Sequence, residues 1–513
     1  MSEQLLAGEL LDGTRGAAVA IEFEDGPWSY DALDRLANRY AHFFRRRGLV
    51  RGDRVSFLVG NEPALVAAYF GAFRAGVVAN PVNTRLTPPE IAYVLNHAGS
   101  RCVLVSAELL PTLEATWPLL QRPPEVLLLG DAPASAFACH RASELDALPA
   151  EAPAQDRPSP QDDALQIYTS GTTGNPKGVM LTHANVVAAT RIVARAFEIT
   201  PADRTLCVMP LFHTNALMFS HLPFLCSGAT VVLRRRFSAS RFWEECRRYR
   251  ADSASASPTI LALLLAHEAG APPRGASGLK YIKVASAPTP VDLAERFEAR
   301  FGAGLLLETF GLTETTAIST MNPLHGRRKF GSIGQVLAPQ ELAILDDEGR
   351  PLPAGATGEI VIRGPNVTAG YENNPKANGE AFTGGWFRTG DQGVMDAERY
   401  VTLTGRLKEI INRGGEKVSP REVDEVLMDH PAVLQVVTFG MPHDKLGEEV
   451  AAAVVLREGK AADEKELRDF VGKHLAAFKV PRKILFLDEI PKGATGKLQR
   501  IGLAEKLGLT AGA

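Results

Sequence analysis

Cysteine is scarce. Five occur in 513 residues (Cys102, Cys139, Cys207, Cys226 and Cys246), never spaced as Cys-x-x-Cys. That argues against a disulfide framework or a zinc ribbon and fits a reducing compartment. Long apolar runs are missing too: stretches such as 260–266 and 450–456 fall far short of the ~18–20 residues that cross a bilayer. The opening MSEQLLAGELLDG carries no basic stretch followed by an apolar run, and the closing LGLTAGA is not an SKL-type address. A cytoplasmic protein with no transmembrane segment is therefore the expectation. Neither sign of charge dominates, since 56 Lys+Arg against 59 Asp+Glu leave a net −3. No global basic field exists to hold a nucleic acid. Several catalytic signatures are absent as well. Without His-Glu-x-x-His or a Cys/His cluster there is no zinc site, and without Gly-x-Ser-x-Gly no α/β-hydrolase elbow. Neither a Walker A loop nor Gly-x-Gly-x-x-Gly is present.

What remains is a globular composition, 45% hydrophobic and 22% charged, in a chain long enough for about three domain-sized units. Residues 30–47 read as an amphipathic helix, with Leu33, Leu36, Tyr40 and Phe43 on one face. Residues 55–59 read as a buried strand, 63–75 as a second helix, and 102–106 and 126–130 as further strands, an α/β alternation. The Ala-, Pro-, Asp- and Ser-rich stretch 133–163 reads as surface connection, and no tandem repeat is evident. A boundary falls near Gly405. Beyond it come a Gly414-Gly415 turn and a helix to Met428, begun by Ser419, Pro420 and Glu422 in the pattern of a capping box. Strands over 434–440 and 450–456 and a helix over 464–475 follow. The fold expected is α/β: a large N-terminal domain of several subdomains with mixed sheets and helices (1–404), a hinge (405–408), and a small mobile α+β C-terminal domain (409–513).

The strongest local signal follows a strand at 165–168. Thr169, Ser170, Gly171, Thr172, Thr173, Gly174, Asn175 and Pro176 lead to Lys177. Glycines let backbone N–H groups approach a ligand closely, hydroxyls add donors and Lys177 adds charge, which together make an anion cradle of the nest type. A flexible linker would require neither the strand nor the lysine.

This segment resembles the signature loop of the adenylate-forming superfamily, which includes acyl-CoA synthetases, aryl-CoA ligases, firefly luciferase and the adenylation domains of peptide synthetases. Other pieces match in the family's order. Ser286-Ala287-Pro288 is similar to the turn along the adenine. Glu308-Thr309-Phe310-Gly311-Leu312-Thr313-Glu314 resembles the second signature, with Phe310 where the family usually has Tyr. Residues 386–391 (WFRTGD) and 405–409 (GRLKE) resemble the ribose and hinge motifs, and 491–497 (PKGATGK) the C-terminal lysine motif. The likeness runs from about Trp28 to Lys506.

The resemblance implies an ATP-dependent, AMP-forming carboxylate–CoA ligase. A carboxylate attacks the α-phosphorus of ATP to give acyl-AMP and pyrophosphate, and the coenzyme A thiol then displaces AMP. It assigns Lys497 as the catalytic cation, Glu314 to Mg²⁺, Asp391 to the ribose hydroxyls, Arg406 to the same ribose or the α-phosphate, and Phe310 to the adenine. It places Lys408 at the hinge, and Gly414 and Gly415 beside the pantetheine arm. His213 would guard the acid pocket, lined by Ala216, Leu217 and Met218; with Phe219 and 315–318 this wall is mostly apolar, implying a fatty or aryl acid. Around Lys497, residues 479–506 hold seven basic against three acidic side chains, as phosphate attraction requires. No Asp in 212–214 pairs with an amino-acid ammonium, and no carrier domain is expected after Lys497. Alternatives are a malonate-type dicarboxylate ligase reading a distal carboxylate through Arg327 and Arg328, a free-standing ligase that loads a carrier protein, and a nucleotide-binding regulator without catalysis. A monomer or homodimer is expected.

Overall fold

Pro63 opens the helix that the spacing predicts over 63–75, and Gly76, at φ 74°, closes it as a left-handed cap. Eleven of its thirteen residues are buried, which marks a helix packed on all sides. The helix Tyr30–Arg46 beside it is amphipathic: the Ser29 hydroxyl accepts the Ala32 N–H at 3.1 Å, and Leu33, Tyr40, Phe43 and Phe44 face the core. These elements come from a computed structural model that describes residues 5–11, 15–131, 135–153, 157–169, 176–267, 271–275, 277–443, 445–491, 498 and 500–509.

Two sheets organise the larger of two compact units, which lies within 1–169, 176–342 and 362–387. The first runs in the order Gly370–Tyr371, Lys177–Thr182, Asp163–Thr169, Val78–Pro81, Arg54–Leu58, Cys102–Ser106, Glu125–Leu129, His140–Arg141. Its first two pairings are antiparallel and the rest parallel. The second has a parallel centre, Leu306–Phe310, Tyr281–Val284, Ser253–Ala256, Arg204–Cys207, Thr230–Leu233 and Val19–Phe23, with antiparallel strands at both edges. In such sheets ligands sit beyond the carboxyl ends of the parallel strands. There the loops 209–215, 285–290 and 311–319 emerge.

A third sheet runs Glu341–Leu345, Thr357–Arg363, Trp386–Met395, Phe382–Thr383, with Val401–Arg406 also paired to Trp386–Met395.

The second unit, within 343–361 and 388–513, is built around the strands Glu416–Val418, Ile411–Arg413, Gly447–Leu456, Val433–His443 and Lys483–Phe486. Successive residues of Gly447–Leu456 point to opposite faces. Val450, Ala452 and Val454 join a core with Val423, Leu427, Leu467 and Val471 of two helices, while Ala451, Ala453 and Val455 join Ile490 and Leu503. Covering both faces explains an uninterrupted apolar run in a short strand.

The helix Pro420–Met428 starts where expected, but Ser419 does not cap it. Its hydroxyl donates to the Thr404 carbonyl, and Glu422 accepts the Lys479 ammonium at 2.7 Å instead of reaching back. A stronger, charged donor and an orphan carbonyl outbid the local box. The stretch 133–163 is more structured than its composition suggests. It supplies the edge strand His140–Arg141 and a 3₁₀ turn, Ala142–Ala147, whose Leu145 is buried. Among the described residues no helix is long and apolar enough to cross a membrane.

Candidate active site

The strands Asp163–Thr169 and Lys177–Thr182 form a hairpin whose last pair is Thr169 with Lys177. Ser170, Gly171, Thr172, Thr173 and Gly174 lie outside the described residues, between these two anchors. The residue before each anchor is held from the helix Pro88–Ala98: Tyr168 Oη and His97 Nδ1 are 2.7 Å apart, and Tyr93 Oη donates to the Pro176 carbonyl at 3.1 Å. The Lys177 ammonium lies 4.7 Å from the centre of the Tyr371 ring.

Glu308, Thr309 and Phe310 end the strand Leu306–Phe310, all three buried. Thr309 ties this strand to its neighbour, its hydroxyl donating to the Val284 carbonyl at 3.0 Å. The chain then turns sharply. A Cβ on Gly311 would stand 1.6 Å from the Ala317 oxygen, so only glycine fits there. The 3₁₀ turn Thr313–Thr315 presents Glu314, whose Oε1 accepts the Tyr371 hydroxyl at 2.9 Å. The turn is laced from one segment, since Asn366 Nδ2 donates to the Thr315 carbonyl at 2.6 Å and the Thr368 N–H to the Glu314 carbonyl at 2.8 Å. Among the described residues no group of three His, Cys, Asp or Glu could cage a metal. A single half-buried carboxylate suits Mg²⁺, which keeps waters and binds chiefly through substrate phosphates.

Ser286, Ala287 and Pro288 are exposed just past the strand Tyr281–Val284, and Ser286 has φ 77°, a conformation that a non-glycine residue rarely takes. Its hydroxyl is 2.9 Å from Asn215 Nδ2. Asn215 is buried, and its Oδ1 has no hydrogen-bond partner among the described residues. His213, half-buried and edge-on to Phe212 at 4.6 Å between ring centres, immediately precedes the turn that carries Asn215. Ala216, Leu217, Met218 and Phe219 follow, 0–2% exposed.

That segment includes a π-helical turn, Leu217–His221, a feature frequent at functional sites. It rests on a polar row of the sheet. Ser255 and Lys283 are register partners on adjacent strands. Ser255 Oγ is 2.9 Å from Ser220 Oγ, and Lys283 Nζ donates to the Phe219 carbonyl at 2.8 Å. Burial pushes the Lys283 ammonium down to about 7 and the His221 imidazole to about 4.

The second unit carries Asp391 and Arg406. Asp391 and Arg406 are register partners, and Arg406 Nε donates to Asp391 Oδ1 at 2.7 Å. Asp391 Oδ2 is buried without a hydrogen-bond partner among the described residues. Burial raises the Asp391 pKa, and Arg406 opposes that rise. Lys408 is exposed in the turn Leu407–Glu409. Gly414 and Gly415, at φ 61° and 97°, make the two-residue turn between Ile411–Arg413 and Glu416–Val418, a geometry that β-carbons disfavour. Lys497 lies outside the described residues. Three residues on, Arg500 is held by Glu409 at 3.1 Å and Asp424 at 2.6 Å.

Arg328 is not available to a substrate carboxylate. Its guanidinium donates to the carbonyls of Pro323, Gly304, Leu306 and Leu324, so it is a loop clamp; Arg327 is exposed. The sequence assigns no role to Tyr371, Asn215 or Lys283, and it marks Arg500 only as one of the seven basic residues of 479–506. Nothing in their local sequence marks their contacts, because their partners lie tens to hundreds of residues away.

Comparison with known proteins finds matches over most of the chain. The family described as AMP-binding enzyme matches residues 12–372, and the AMP-binding enzyme C-terminal domain matches 422–497. Sulfoacetate–CoA ligase of Cupriavidus necator is 39% identical over 489 residues, covering 93% of this chain and 92% of that protein. Oxalate–CoA ligase of Arabidopsis thaliana is 39% identical over 476 residues, covering 92% and 91%. The crystal structure of ATP-bound MatB from Rhodopseudomonas palustris superposes with a TM-score of 0.89 at 28% identity, covering 98% of this chain and 99% of that one.

Proposed function

Since this chain belongs to the AMP-binding enzyme family and is an ATP-dependent, AMP-forming CoA ligase, we propose that its acid is short and carries a second polar or anionic group. ATP, used with Mg²⁺, and coenzyme A are its other substrates. The observation that carries the proposal is the packing of the wall beyond His213. Among the described residues, the side chains of Ala216, Leu217, Met218 and Phe219 are only 0–2% exposed, as in a close-packed interior. A fatty or aryl tail entering along them would have to displace a packed core. The polar atoms ahead of that wall support a short, hydrophilic acid. Turning the Asn215 amide by half a rotation lets Ser286 donate to its oxygen, leaving its N–H groups to meet an anionic oxygen. The ligases of sulfoacetate and oxalate, both doubly anionic acids, are the 39% relatives.

In the first half-reaction the carboxylate oxygen attacks the α-phosphorus and pyrophosphate leaves with the electron pair. Two anions must meet, so fixed positive charge and N–H donors are what lower the barrier. We assign Lys177 and the 169–174 loop to the phosphates, Glu314 to the Mg²⁺ that comes with ATP and offsets phosphate charge, and Asp391 to the ribose hydroxyls. His213 orients the acid, and Lys497 bridges it to the α-phosphate. In the second half-reaction the thiol sulfur attacks the acyl carbon and AMP departs; Gly414 and Gly415 leave space for the pantetheine arm, and Lys408 is the point about which 409–513 turns.

A panel of acids with ATP and CoA tests the substrate assignment. Sulfoacetate, oxalate and malonate should exceed octanoate and ferulate by at least about tenfold in kcat/KM, a margin typical of pocket discrimination. Preference for octanoate or ferulate would overturn it.

A further inference from the structure

The Tyr371 side chain touches two assigned groups at once. Its hydroxyl donates to Glu314 Oε1 at 2.9 Å, and its ring face lies 4.7 Å from the Lys177 ammonium. Its backbone is gripped from both sides. Tyr371 pairs with Val179 on the strand that Lys177 begins, and the next N–H, of Glu372, donates to the Gly178 carbonyl at 2.8 Å. On the other side Asn378 Oδ1 accepts the Tyr371 N–H at 2.7 Å, and Asn378 Nδ2 donates to the Tyr371 carbonyl at 3.0 Å. Thr368, three residues earlier, holds the Glu314 carbonyl and donates its hydroxyl to the Met180 carbonyl. The segment 366–371 is thus a short bridge between the acidic turn and the strand leaving the phosphate loop.

The chemistry of the contacts suits alignment. A phenol hydroxyl can donate and an ionised carboxylate oxygen can only accept, so the direction of this bond is fixed. By taking one carboxylate oxygen the phenol fixes the direction in which the other points. The ring's negative face attracts the Lys177 ammonium without forming a salt bridge to it.

We propose that Tyr371 is a positioning residue for the adenylation half-reaction, holding Lys177 and Glu314 in one arrangement about the ATP polyphosphate; this rests on the assignment of Glu314 to Mg²⁺ above. The phenol acts through both groups and touches no reacting atom.

Three variants separate the outcomes: Tyr371→Phe, which keeps the ring and loses the hydrogen bond, Tyr371→Leu, which loses both, and Glu314→Gln. Calorimetric titration with ATP, in Mg²⁺ and in EDTA, reads binding without turnover. Tyr371→Phe should weaken Mg·ATP about tenfold, the worth of a hydrogen bond to a charged group, with metal-free ATP within about twofold. Tyr371→Leu should weaken metal-free ATP as well, by about two- to fivefold, as loss of a cation–π contact predicts. Thioester formation from supplied acyl-AMP and CoA should stay within about twofold in both. Wild-type Mg·ATP binding in Tyr371→Phe, with Glu314→Gln impaired, overturns the proposal and leaves the Glu314 assignment standing. Glu314→Gln unchanged removes that assignment, and the proposal with it. Equal weakening of both ATP forms and of the thioester step by Tyr371→Phe would mark mere structural support and also overturn it.

Discussion

Lys283 illustrates how much a single residue can be changed by its surroundings. It is 1% exposed, its Nζ has the Phe219 carbonyl at 2.8 Å, and the rings of Phe224 and Phe197 lie 4.7 and 5.6 Å away. An ammonium with one carbonyl and two ring faces is poorly solvated, so burial brings its pKa to about 7, against 10.5 for an ordinary lysine. Across that window the unfolded chain holds a proton that the folded protein has released. Folding stability therefore rises with pH there, by at most ~1.4 kcal/mol per unit from this group. Urea midpoints from about pH 6 to pH 9 should climb less steeply in Lys283→Met than in wild type. Parallel curves would mean that Lys283 is charged throughout. The His221 imidazole beside it behaves in the opposite pH range, held neutral down to about 4.

At the scale of an element, the acidic turn after Leu306–Phe310 depends on close backbone approach. Gly311 passes so near Ala317 that a Cβ would meet its oxygen at 1.6 Å and Ile318 Cα at 2.7 Å. Relief requires the chain to swing outward, and Glu314 moves with it. Gly311→Ala should cost ~2–4 kcal/mol of stability and reduce acid-dependent pyrophosphate exchange more than about a hundredfold. Urea denaturation and exchange assays on the same preparation would check both, and normal exchange would show that the turn does not set Glu314. The π-helical turn Leu217–His221 is the second element that matters. Its extra residue brings the Phe219 carbonyl to Lys283 and the Ser220 hydroxyl to Ser255, and so fixes how far the packed wall stands behind His213.

For the whole molecule, the two half-reactions make different demands on the chain. Only acyl-AMP formation requires a cation between carboxylate and phosphate, and we assign that to Lys497. Lys497→Ala should therefore abolish acyl-AMP formation yet leave thioester formation from supplied acyl-AMP within a few fold, about 1 kcal/mol. Single-turnover assays of each half would detect equal loss in both, which would remove the assignment.

Sequence by itself determined the elements whose signals are local. Pro63 and Gly76 punctuate a helix where spacing placed it, the apolar run 450–456 is a strand, and the Gly414-Gly415 turn closes a hairpin. The family also followed from residues contiguous in the chain, because phosphate cradles and turns are built from neighbours. Tertiary structure alone decided the rest. Ser419 satisfies the Thr404 carbonyl instead of capping its helix, and Arg328 spends its guanidinium on four carbonyls. Tyr371 meets Glu314 across 57 residues, and Lys283 lies under Phe219 across 64. Composition and spacing carry no record of such meetings, since a side chain's partner is set by which loops the sheets bring to one edge. The physical reason is range: propensity, capping and turn geometry act over about four residues, whereas burial, pKa and hydrogen-bond satisfaction depend on everything packed nearby.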